Sequence, residues 1–358
     1  MSTRGFSALS LSIALAACSG QTNGVTEPAT DYGINGLAPA MAKANLGYTT
    51  YFSGSTVDAQ TTPAGGVLLA GGGTDSDDAM KWLLAQGGAR SPLKYGDVVV
   101  LRTSGSNGYN SYLIGFGANS VTSIVISSSA GANSDVVRNA IAKAEVIFIA
   151  GGDQSTYVNL WTGTALQTAV NARVAAGYPI GGTSAGLAVL SPFVYAALNN
   201  SSVSATVMAN PYDPTVTITN ALFAVPVLSN LIADSHFAVR DRMGRLVTFL
   251  ARLQQDGRSA APRGIGVDER SAVAVTNTGT ATVYGAGAGA YFLSVASTAS
   301  RTCVNSTPAT PLSITPVTTV HVPVGKGFNL TTWSSTDAAP YTLTVAQGVL
   351  SSSSGTIY

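Results

Sequence analysis

Short, uninterrupted apolar runs recur along this chain, several of them closing on glycine, and this pattern restricts the fold more than any other feature. Gly66-Val67-Leu68-Leu69-Ala70 runs into Gly71-Gly72-Gly73. The stretch from Glu145 to Ala150 runs into Gly151-Gly152-Asp153-Gln154, and Pro179-Ile180 leads into Gly181-Gly182-Thr183-Ser184-Ala185-Gly186. Asp97 to Leu101 and Val121 to Ser127 are further runs of the same kind. A strand that is apolar on both faces must be covered on both faces, as happens in a parallel sheet whose crossovers are helices. Helical spacing separates the runs. Ala79, Met80, Leu83 and Leu84 follow Asp75, which sits where an N-cap belongs, and Val136, Val137, Ile141 and Ala144 share one side of a segment from Asn133 to Ala144. Thr164 to Ala176 is the next helical stretch.

The expected fold is therefore α/β, a flavodoxin-like three-layer sandwich with a mostly parallel central sheet. From about Gly264 the helices cease. Strands are expected at Ser271 to Thr276, Thr280 to Gly285, Ala290 to Val295, Thr318 to Val324 and Phe328 to Trp333, as antiparallel additions to the same domain. In open α/β sheets, functional groups gather beyond the carboxyl ends of the strands. The three glycine-rich segments all lie at such ends.

The N-terminus has the pattern of an export signal. Arg4 precedes an apolar stretch from Ala8 to Ala17 that is too short to span a bilayer. Leu15-Ala16-Ala17-Cys18 resembles a bacterial lipobox, in which the cysteine becomes the lipidated first residue. Residues 1–17 are expected to be a signal peptide and 18–44 a lipidated N-terminus and flexible tether. Residues 45–350 would form a single domain and 351–358 a frayed tail. The localisation that follows is a cell-envelope lipoprotein or an extracellular, exported protein. Cys18 and Cys303 are the only cysteines, so lipidation of Cys18 would leave no internal disulfide. The net charge of +1 offers no basic stripe for nucleic acid, and membrane contact is expected only through the lipid anchor.

Gly182-Thr183-Ser184-Ala185-Gly186 matches G-x-S-x-G, the sharp strand-to-helix turn that lifts a serine hydroxyl clear of a sheet. Both glycines have a steric reason, since a tight elbow brings their Cα atoms against neighbouring backbone. Ala185 N–H would then be able to donate to a developing oxyanion. A base must come from one of only two histidines. His321 lies in an alternating segment and is most simply a strand residue. His236 ends the apolar run Leu231-Ile232-Ala233-Asp234-Ser235-His236, and a helical stripe of Val239, Met243, Leu246, Leu250 and Leu253 follows. Charged residues make up only 10% of the chain, yet Asp234, Arg240, Asp241, Arg242 and Arg245 crowd the segment around that histidine. The acid that orients the imidazole is expected to be Glu269, with Asp234 its rival, and spacing does not choose between Asp268 and Glu269. The order Ser184, His236, Glu269 differs from that of an α/β-hydrolase, whose acid stands between serine and histidine. With two histidines and no Cys/His/Asp cluster, neither a metal nor another cofactor is expected. Gly71-Gly72-Gly73 is no dinucleotide fingerprint, because Ser76 stands where a third glycine would be.

Gly151-Gly152-Asp153-Gln154, the elbow, Asp234-Ser235-His236-Phe237 with Arg242-Met243-Gly244-Arg245-Leu246, and Gly264-Ile265-Gly266-Val267-Asp268-Glu269 together resemble the blocks of cyanophycinases, in the family's order. These are serine peptidases related to dipeptidase E. The resemblance runs from about Gly66 to Trp333 and implies Ser184, His236 and Glu269 as a triad. It further implies Gly152 and Ala185 N–H groups as the oxyanion hole, and Gln154, Asp234, Arg242 and Arg245 as substrate contacts. Gln154 has the plainer alternative of capping the helix after it. The implied substrate is cyanophycin, a poly-aspartate backbone bearing arginine on each β-carboxyl, cleaved to β-Asp-Arg dipeptides. A dipeptidase E-like action on aspartyl or other acidic peptides is a second expectation, and an inactive peptide-binding lipoprotein a third. Relatives are often dimers, so a homodimer is a further expectation. Two positions depart from the family: Ser235 stands where glutamine is usual, and Leu187 where alanine is usual.

Overall fold

A computed structural model describes residues 46–91 and 94–358. The signal and lipidation expectations, Cys18 included, lie outside the described residues.

A nine-stranded sheet runs, in spatial order, Tyr48–Gly54, Ser120–Ile126, Asp97–Arg102, Val146–Ile149, Ile180–Thr183, Val67–Ala70, Ser271–Val275, Thr280–Gly285 and Gly327–Asn329. The run from Ser120–Ile126 to Val67–Ala70 is parallel throughout, and antiparallel strands flank it on both sides. Side chains alternate across the sheet as strand geometry requires. Leu69, Val99 and Ile147 enter one core with Ile141 of helix Asp135–Lys143 and Val170 of helix Ala165–Ala175, while Leu68, Val98 and Phe148 enter another with Leu83 of helix Asp77–Gln86. Each such leucine or phenylalanine contributes about 1.5–3 kcal/mol by leaving water, which is why four-residue strands are long enough here.

The C-terminal strands do not all extend this sheet. Ser271–Val275, Thr280–Gly285 and Gly327–Asn329 do. Ala290–Thr302 and Ser313–Val322 instead belong to a second, eight-stranded sheet, ordered Ile218–Asn220, Phe193–Tyr195, Leu231–Asp234, Arg263–Val267, Ala290–Thr302, Ser313–Val322, Tyr341–Ala346 and Val349–Ser352. Its members from Phe193–Tyr195 to Arg263–Val267 are parallel and the others antiparallel. One face joins the core shared with the first sheet, through Ala233, Ile265 and Phe292. The other, through Ile232 and Leu293, packs on helix Met243–Gln255. The expected frayed tail is corrected: Val349–Ser352 is paired, and Tyr358 donates its hydroxyl to Asp241 and accepts from Met243 N–H.

Candidate active site

Strand Ile180–Thr183 ends in a turn at Ser184, whose φ of 55° and ψ of −116° lie outside the comfortable regions for a side chain. Such a conformation costs about 1–3 kcal/mol and persists only where its surroundings enforce it. Ser184 N–H is bonded to Ala70 O at 3.0 Å, and helix Ala185–Ala188 starts at once beneath it. The steric expectation for the elbow glycines holds: a Cβ on Gly182 would meet Gly186 O at 2.4 Å, and one on Gly186 would meet Ile149 O at 2.1 Å. Leu187 is buried in the core under the turn.

His236 comes from the other sheet, two residues past strand Leu231–Asp234. Its backbone also has positive φ, at 47°, and its N–H donates to Gly71 O at 2.8 Å. That bond ties the second sheet's rim to the first. The turn sends the two side chains apart, so Asp234 meets Arg245 while His236, two residues on, meets Ser184 and Glu269. His236 Nε2 lies 2.7 Å from Ser184 Oγ, and His236 Nδ1 lies 2.6 Å from Glu269 Oε1. Gly72 makes room for the ring, since a Cβ there would come within 2.4 Å of the imidazole. Burial lowers the His236 pKa below its ordinary 6.5, and the charges of Arg240 and Arg242 act in the same direction against the pull of Glu269.

The three remaining carboxylates near this rim divide by partner. Asp268 is buried and accepts from Ala238 N–H and Val239 N–H at 2.9 and 3.0 Å, fixing the turn after His236. Asp234, only 3% exposed, is held in two-pronged fashion by Arg245, with Nε to Oδ2 at 2.7 Å and Nη2 to Oδ1 at 2.6 Å. Burial acts to raise the Asp234 pKa, yet the charges of Arg245 and Arg242 hold it below its ordinary value. Asp75 is not the N-cap expected of it. Ser76 caps helix Asp77–Gln86, and Asp75 accepts from the Tyr109 hydroxyl at 2.6 Å while burial raises its pKa.

The implied substrate contacts separate accordingly. Arg245 is 2% exposed and its Nη1 donates to Ser201 Oγ and Ser202 O, so it and Asp234 are buried on each other and on the protein rather than presented to a substrate. Arg242 stays partly open beside them. It donates to Ser235 O at 2.8 Å and lies 3.5 Å from Asp234, and burial pushes its guanidinium down to about 10, still charged near neutrality. Gln154 begins helix Gln154–Trp161, but Asp153 caps it, which leaves the Gln154 side chain uncommitted. Gly152 is exposed and Ala185 buried; among the described residues, neither N–H has a main-chain acceptor. His321 lies in strand Ser313–Val322, stacked on Tyr291 and bonded to Ala288 O, away from the serine.

Two contributors went unassigned in the sequence. Arg240 reaches Glu269 at 3.6 Å, and Gly72 underlies the imidazole. Both had a signal: one lay in the charge cluster and the other in the triple-glycine turn.

A serine, an imidazole and a carboxylate in hydrogen-bonded series at the rim of an α/β fold form the constellation of a serine-type hydrolase. Residues 113–283 match peptidase family S51. The chain is also similar to cyanophycinases. It is 29% identical over 130 residues to the cyanophycinase of Geminocystis herdmanii, covering 36% of this chain and 42% of that one. It is 27% identical over 174 residues to the cyanophycinase of Trichormus variabilis, covering 48% and 52%. The chain thus spans about half the length of the curated relatives it matches. A peptidase from an acI-B1 actinobacterium superposes with a TM-score of 0.46 at 14% identity, over 74% of this chain and 97% of that one. A putative peptidase E from Listeria monocytogenes does so at 0.43 and 14%, over 62% and 99%. At scores this low neither structure bears on the assignment.

Proposed function

We propose that this chain is a serine peptidase that hydrolyses cyanophycin to β-Asp-Arg dipeptides through an acyl-enzyme. The observation that supports it most is the series Ser184 Oγ, His236 Nε2, His236 Nδ1, Glu269 Oε1, with links of 2.7 and 2.6 Å. Ser184 Oγ attacks the amide carbon while His236 Nε2 takes its proton. The imidazolium so formed keeps its Nδ1–H on Glu269. Gly152 and Ala185 N–H groups receive the oxyanion. The tetrahedral adduct collapses, His236 passes the proton to the departing amine, and water repeats the sequence on the ester. The depressed pKa of His236 keeps the imidazole neutral, as a base must be.

Arg242 is the less buried of the two guanidinium groups and is suited to a substrate carboxylate, and Gln154 offers an uncommitted amide nearby in the family pattern. A second reading, dipeptidase E-like action on aspartyl peptides, is favoured by one observation: Asp234 is fully engaged by Arg245 and has no charge left for a substrate guanidinium. Incubation with cyanophycin and with short Asp-X peptides, followed by product analysis, separates the two. Ser184→Ala is expected to abolish turnover, and a serine-directed fluorophosphonate should form one adduct, on Ser184. Persistent hydrolysis by the alanine variant would overturn the mechanism, and absence of an adduct would favour a peptide-binding role. Export as a lipoprotein anchored at Cys18 belongs to the same proposal. Metabolic labelling with a fatty acid should mark the wild type and not Cys18→Ser.

A further inference from the structure

Tyr157 lies one turn into helix Gln154–Trp161 and is fully buried, its ring stacked on Trp161 at 4.5 Å. A buried phenol needs a partner for its hydroxyl, and many single acceptors would serve. This one lies 2.9 Å from Ala150 O and 2.9 Å from Gly151 O, sharing one proton between two successive carbonyls. The second carbonyl matters more. Gly151 C=O and Gly152 N–H belong to one peptide plane, and in a trans peptide they point in opposite directions. A hydroxyl that draws Gly151 O inward turns Gly152 N–H outward. The loop stands beside the nucleophile, since a Cβ on Gly151 would lie 3.6 Å from Ser184 Cβ. Gly152 itself leaves the space the phenol fills, because a Cβ there would come within 2.6 Å of the Tyr157 oxygen.

We propose that Tyr157 is a positioning residue of the oxyanion hole, its hydroxyl fixing the peptide plane that aims Gly152 N–H at the developing charge. This depends on the reading of Gly152 as an oxyanion donor. Burial raises the phenol pKa well above its ordinary value, so the group remains a proton donor across the working pH range. Without the hydroxyl, the two-glycine segment is free to rotate that plane, and the charge would have one aimed donor in place of two.

The test is the rate of fluorophosphonate labelling, whose transition state also places negative charge in the oxyanion hole. Tyr157→Phe keeps the ring and its stack. Its first-order inactivation rate is expected to fall about tenfold, against the roughly 10²–10³-fold loss when such a donor is removed outright. The inhibitor concentration for half-maximal rate and the pH midpoint should not move, because substrate contacts and His236 are untouched. Trp161→Phe, which weakens the stack but keeps the hydroxyl, should label within about twofold of wild type. Wild-type labelling by Tyr157→Phe overturns the inference, and so do equal losses in both variants, which would mark mere loosening of the fold. A wild-type protein that does not label at all overturns the peptidase reading instead.

Discussion

Asp234 and Glu269 end or follow neighbouring strands of the same sheet, yet their surroundings differ in nearly every respect. Asp234 is 3% exposed and answered by two guanidinium groups, whereas the Glu269 side chain is 27% exposed and faces one imidazole and one solvent-washed arginine. The first carboxylate is consumed by structure and the second is left with a titratable partner. The lesson concerns charge in an apolar chain: buried Asp234 is silenced by the guanidinium groups around it, whereas the more open Glu269 keeps an imidazole to act on.

The largest effect that could break this contrast is expected at Glu269. Glu269→Gln preserves shape but removes the charge that stabilises the imidazolium and sets its tautomer. By the behaviour of such triads, turnover should fall about 10⁴-fold with the melting temperature nearly unchanged. Steady-state kinetics beside a thermal scan would show it; a loss under tenfold would mean the carboxylate is dispensable.

Asp234→Asn should do the converse. It leaves Arg245 buried without its counter-charge, a defect worth about 3–5 kcal/mol of folding stability. Urea unfolding measures the loss, while labelling of Ser184 per folded molecule should stay within a few-fold. The pH dependence has a definite sign. The folded pKa of Asp234 lies below its ordinary value, so its contribution is present above the ordinary carboxylate range and fades as pH falls through the depressed folded value. Wild type should therefore lose more stability in acid than Asp234→Asn does. A stable but inactive Asn variant would return Asp234 to the substrate.

Much of this was legible in the chain. The strands Val67–Ala70, Val146–Ile149 and Ile180–Thr183 lie where continuous apolar runs place them, because burial on both faces leaves no polar alternation to misread. Ser184 stands where the strand-end pattern suggests, while the choice of Glu269 over its neighbour Asp268 was not in the spacing. The partition of strands between two sheets was not legible, since hydrogen-bond partnership leaves no mark on a strand's own composition. Nor was the fate of Asp234, as spacing shows which residues share an element but not that a positive φ at His236 turns two neighbours apart. Arg245 illustrates the same limit. Spacing alone would leave it a surface cation on a helix, whereas the fold buries it against Asp234, Ser201 and Ser202.

Arg240 carries the smallest expected effect and the finest test of the contrast. Its side chain is 52% exposed and lies 3.6 Å from Glu269, while burial remains the leading cause of the depressed His236 pKa. Arg240→Ala removes a positive charge that opposes protonation of the imidazole directly, and it also frees Glu269 to attract that proton more strongly. Both changes raise the His236 pKa. Because the base must be neutral, the acid limb of the activity profile should move to higher pH, with the plateau within about twofold of wild type. The separation between the two profiles should shrink at about 1 M salt, where the screening length is near 3 Å. The control is the Asp234–Arg245 pair, which is buried and does not include Arg240, so Arg240→Ala should leave the urea midpoint where it was. A limb that stays fixed, or moves to lower pH, would mean that the exposed arginine does not act on the imidazole and that burial alone sets its charge.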